Sequence, residues 1–195
     1  MTITKMAVAI GMVATAPAAT VVPASPAQQN LVVYVSDKAG VPSSIRIPAE
    51  ALAAKMFATI GIRLEWRRGE PVNPPSDTRY VAVALTTGTP THGISHALAY
   101  AAPYEGVHIT VFYDRIQKDF APAKVLAHVM VHEITHLLQG VCRHSETGVM
   151  KAHWKLEDFY EMCYKPLPFA REDVELIYAG LARTSGKDKL VAGDF

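Results

Sequence analysis

Residues 122–140 read PAKVLAHVMVHEITHLLQG, and the run from His132 to His136 is an H-E-x-x-H sequence. Pro122 suits the first turn of a helix, and Val125, Val129, His132 and His136 recur at helical spacing until Gly140. Four residues is just over one helical turn, so both imidazoles leave the same face and can meet at one ion. Zinc accepts neutral His nitrogens, and a catalytic site keeps one coordination position open for water. Glu133, next to the first His, stands where it can take the proton of that water. With 8 His in the chain, chance would supply such a pattern on the order of 0.02 times per sequence of this composition. A metal site on a helix is therefore the expectation.

The third ligand is less determined. His128 shares the helix face, but it lies eight residues from His136, about 12 Å along a straight helix and too far to share an ion. It reads as a packed or supporting histidine. His144 follows Gly140, where the chain can leave the helix and turn back toward the metal. Glu157 and Glu161, on a following helical stretch, would instead complete a site of two His and one Glu.

Extended to Met150, the sequence HEITHLLQGVCRHSETGVM resembles the metzincin metallopeptidases, whose signature is H-E-x-x-H-x-x-G-x-x-H followed by a turn carrying a methionine. The Gly and the third His come later here, with seven residues between His136 and His144 where that signature has five. The run His144, Ser145, Gly148, Met150 looks like the stretch after the third His in matrix-metalloprotease-like members. It looks closer still to small exported bacterial metzincin-like proteins, which share the seven-residue spacing and an apolar-Phe segment like Leu167-Pro168-Phe169 before a last helix. The resemblance is dense over about 25 residues and weak elsewhere. It implies zinc bound by His132, His136 and His144, with Glu157 the competitor for the third position. It also implies Glu133 as the base and Met150 in the methionine turn. The activity implied is endopeptidase cleavage of a peptide or protein substrate, with the water on zinc activated by Glu133. A non-catalytic zinc-containing binding domain and a hydrolase of non-peptide amides are the alternatives.

Upstream, Leu31–Val35, Ile62–Trp66 and Arg79–Leu85 read as strands, and Pro48 opens a helix that runs to Ile60 before Gly61. Ala97–Ala101 and Val107–Tyr113 read as a hairpin or two adjacent strands, and helices are expected over Trp154–Tyr164 and Arg171–Ala182. The order predicts an α+β domain over residues 28–195, a mixed sheet packed on helices. The resemblance makes Ala97–Ala101 the antiparallel edge strand against which a peptide substrate would pair. Tyr100, Tyr104 and Tyr160 could each donate a hydrogen bond to a reacting carbonyl, although packing is the commoner use of a Tyr.

The net charge of +1 leaves no electrostatic footprint for nucleic acid or a membrane surface. Residues 1–27 differ in kind: one Lys, an apolar run Met6–Ala14, then small residues and Pro. This order reads as a signal peptide cleaved after Ala19 or Ala27, which predicts a periplasmic or extracellular protein. The apolar run is far shorter than the roughly 20 residues of a membrane anchor. Cys142 and Cys163 could form one disulfide stapling the His144 loop to the next helix, or stay free thiols.

Overall fold

The structure, a computed structural model, describes residues 28–75, 78–88, 97–101 and 106–191, with the backbone alone for 184–191. The expected signal peptide and Tyr104 lie outside the described residues. Five strands form one sheet: β1 (Gln29–Asp37), β2 (Ile62–Arg68), β3 (Tyr80–Thr86), β4 (Ala99–Ala101) and β5 (His108–Phe112). Their spatial order is β2-β1-β3-β5-β4, and every pairing is parallel except that of β4 with β5. Parallel neighbours cannot be joined by a tight turn. Accordingly α1 (Ser43–Ala58) makes the crossover from β1 to β2.

Central position explains the composition of β1. Leu31, Val32, Val33, Tyr34 and Val35 are all buried, the continuous apolar run of a strand covered on both faces. Edge strand β2 alternates instead, with Ile62 and Leu64 buried and Arg63 and Glu65 exposed. The core lies between the sheet and the helices α1 and α3 (Pro122–Gln139), which pack on each other. Phe57 of α1 and Leu126, Met130 and Ile134 of α3 are fully buried there. Helix α5 (Arg171–Val191) packs on α3, where Gly180 lets the backbones approach: a Cβ at that position would collide with the Leu138 carbonyl. Helix α4 (Leu156–Tyr164) also touches α3.

Four details differ from the sequence reading. Helix α1 begins at Ser43, before Pro48, which sits inside it. The missing backbone donor at Pro48 is outweighed by burial of Ala49, Ala53, Met56 and Phe57, a tertiary effect that local propensity does not register. A short helix α2 (Tyr113–Ile116) follows β5 directly. Strand β4 is only three residues long. Helix α5 continues past Ala182 to Val191, because Ser185-Gly186 lowers helix propensity without imposing the steric stop of a Pro. Among the described residues, no helix is long and apolar enough to cross a membrane.

Candidate metal centre

Helix α3 presents His132 and His136 one turn apart, as the spacing requires, with their Nε2 atoms 3.1 Å from each other. Each ring is held from behind by a backbone carbonyl. The Nδ1 of His132 is 2.9 Å from Val149 O, and the Nδ1 of His136 is 3.3 Å from Val141 O. A carbonyl can only accept, so these contacts put the protons on Nδ1 and leave the Nε2 lone pairs free for a ligand. Gly140 ends the helix in the left-handed conformation (φ 66°), and its N–H caps His136 O. The chain then turns back and brings His144 to the other two, with ring centroids 5.2 Å from His132 and 4.9 Å from His136. One ligand atom from each of the three lies within 4.8 Å of the others. Glu157 stays exposed on α4 and is not part of this group; Glu161 lies on the same helix and pairs with Lys165.

Desolvation lowers all three imidazole pKa values, including that of His144, which is exposed on one side but sits against the other two rings. His132 falls to about 4, with the neighbouring His136 and His144 adding to the effect. His136 is lowered by burial and then by His144, and His144 by burial and then by His153. Near neutral pH all three are therefore neutral, the form that binds a metal. Burial pushes the Glu133 carboxyl the other way, up to about 7. A divalent cation among the imidazoles would draw it back toward the ionised form. Three neutral imidazole donors with a carboxyl beside them fit the donor set of a catalytic zinc site with an open position.

Residues 145–151 form a closed turn around Met150, which is fully buried. Ser145 and Lys151 bridge across it, and the Ser145 N–H donates to Met150 O at 2.8 Å. Gly148 has φ 74°, and a Cβ there would collide with the Pro168 carbonyl. The Val149 N–H donates to that same carbonyl at 2.9 Å, so the turn is seated on the 166–170 segment.

His128 is not in the cluster. It is fully buried, with Nδ1 2.7 Å from Lys124 O and Nε2 accepting from the Leu167 N–H at 3.0 Å. Both ring nitrogens are spent on structure, as its distance from His136 implies. Of the two readings of the cysteine pair, the structure shows free thiols: Cys142 is exposed, and the Cys163 thiol turns to Phe159 O in its own helix. The loop is held by Asp173, a residue the sequence reading passed over. Asp173 is fully buried on α5 and bonds Ser145 Oγ at 2.5 Å. In sequence it reads only as an acid in the first turn of a helix, a common partner of the helix dipole. Trp154 was also passed over, and its ring stands edge-on to His128, His132 and Phe159. Tyr100 is exposed on β4, and Tyr160 is exposed on α4 beside Phe120.

A cleft of about 550 Å³ opens over the cluster, lined by His132, Glu133, His144, Lys151, Trp154, Phe159 and the residues Ala97, Leu98 and Ala99 at β4. No family model and no curated protein matches the chain in sequence. Among solved structures, the chain is similar to an archaemetzincin from Methanopyrus kandleri (13% identity, 82% of this chain and 99% of that one, TM-score 0.58). It is also similar to a zinc-dependent peptidase from Methanocorpusculum labreanum (14% identity, 74% and 99%, TM-score 0.56). The α+β architecture is thus a fold that these two proteins share.

Proposed function

We propose that this chain is a zinc-dependent endopeptidase of metzincin type, with zinc held by His132, His136 and His144. The observation that carries the reading is the convergence of three neutral imidazoles beside the half-buried carboxyl of Glu133, at the floor of a cleft. Two solved structures of the same fold carry the names archaemetzincin and zinc-dependent peptidase, which supports the same reading. Zinc held there supplies Lewis-acid polarisation of the scissile carbonyl and lowers the pKa of water. Glu133 takes the proton of the attacking water on its carboxylate and returns it to the leaving amine nitrogen. Met150, buried in the turn after His144, forms the apolar support of the site.

Strand β4 orients the substrate. Among the described residues it pairs with β5 alone, and Ala99, with Ala97 and Leu98 just before the strand, lines the cleft, so an extended peptide can add to its other edge through main-chain hydrogen bonds. That recognition reads backbone and leaves sequence preference to the cleft walls. Residues 1–27 would direct export and be removed, placing the mature protein in the periplasm or outside the cell. The direct test is a mixed peptide library incubated with the purified chain. Internal cleavage that stops with a chelator and returns with zinc is expected. Cleavage indifferent to chelation, or none by the zinc-loaded protein, would count against the proposal.

A further inference from the structure

We propose that Asp173 is a positioning residue for the metal centre: its carboxylate clamps the segment 143–145 and thereby sets where His144 stands. The inference rests on the zinc reading above and extends it to a residue on another helix, well beyond the H-E-x-x-H motif in sequence.

His132 and His136 are each fixed twice, by a rigid helix and by a carbonyl behind the ring. His144 has neither support. It is exposed, it lies in a segment without regular structure, and no described residue hydrogen-bonds its ring. Its place is therefore inherited from its own backbone, and the two residues flanking it are both tied to one oxygen. Asp173 Oδ1 accepts from Ser145 Oγ at 2.5 Å and from Arg143 Nη1 at 3.3 Å. Asp173 is itself immobilised. Its Oδ2 accepts from the Ala170 N–H at 3.2 Å, its N–H donates to Ala170 O at 3.1 Å, and its carbonyl accepts from Gln139 Nε2 at 3.3 Å. Gln139 is the last residue of α3, so the chain of contacts runs from the metal helix through α5 to the third ligand.

An ordinary helix-start role would use only Oδ2. A buried carboxylate is costly unless its oxygens are paired, and here the remaining oxygen is paired entirely by the neighbours of His144. Charge-assisted bonds of this kind are short and directional, suited to fixing a loop.

The test is zinc affinity of the full chain, measured by competition with a chromogenic chelator, for wild type, D173N, H144A and the double variant. D173N keeps size and one acceptor oxygen but loses the charge. It should weaken zinc binding about 10- to 100-fold, the usual effect of removing a partner that orients a ligand. In the H144A background it should weaken binding no further, because there is no third ligand left to position. S145A, which removes one bond, should show the same pattern more weakly and carries the test if D173N does not fold. An equal loss with and without His144 would mean general destabilisation and would overturn the clamp. So would unchanged affinity in both D173N and S145A when H144A alone is weakened. Unchanged affinity in H144A itself would remove His144 from the zinc site, and the clamp with it.

Discussion

His132 and His136 ride on an 18-residue helix whose inner face is the centre of the core, whereas His144 rides on a loop that crosses the surface. The helix pair is aimed by its spacing, since one turn of α3 points both rings at the same place, and the Val149 and Val141 carbonyls then hold the rings from behind. His144 is placed by contacts from elsewhere: the closed turn 145–151, the 166–170 segment and Asp173. Local geometry aims the rings where the chain is regular, and tertiary contacts must do the aiming where the chain is not.

The difference can be broken at the loop first. Gly148→Ala combines a positive φ with a collision against Pro168. Strain of about 1–3 kcal/mol and overpacking of a similar size should together cost roughly 3 kcal/mol or more. Thermal unfolding of the apo protein should show this as a clear fall in Tm, and an unchanged Tm would mean the turn is not seated as described.

On the helix, His128→Ala separates structure from ligation. The Leu167 N–H and Lys124 O lose their shared partner, a loss of about 1–3 kcal/mol for the unsatisfied buried group. Bound zinc should stay at one per chain. Loss of zinc in a folded His128→Ala protein would bring this third histidine of the face into the metal site.

The smallest effect belongs to Lys151 and Asp158, which tie the methionine turn to α4 at 2.6 Å. Burial opposes the charged form of Asp158, but hydrogen bonds from the Lys151 ammonium and the Lys155 backbone N–H, with both ammonium charges, hold its carboxyl below the ordinary value. A carboxyl with a depressed folded pKa stabilises above its unfolded value, near 3.9, and loses that contribution as pH falls through the folded value. Asp158→Asn should therefore cost on the order of 1 kcal/mol at neutral pH and almost nothing in strong acid. Denaturant unfolding at the two pH values checks the sign.

Legibility in the sequence follows the same division. The α3 helix, its two His and the Gly140 cap were readable because periodicity and glycine conformation are local. His144 could be joined to them only through the resemblance of residues 132–150 to a known pattern; spacing alone left Glu157 open. Asp173 left no trace, since nothing in a first-turn acid tells which distant loop it will bond. Pro48 misled for a related reason: a local rule about helix starts lost to the burial of Ala49, Ala53, Met56 and Phe57. The cysteine pair suggested a staple, but side-chain bonds to Asp173 hold that loop instead.

In the proposed mechanism Glu133 carries the proton at a zinc centre held by other residues, and Glu133→Gln isolates that role. Glutamine keeps the size of the side chain and its hydrogen bonding but cannot accept the water proton. Metal content and peptide cleavage are measured on the same purified sample. One zinc per chain is expected, with cleavage reduced at least about 10²-fold. Full cleavage with zinc retained would contradict it.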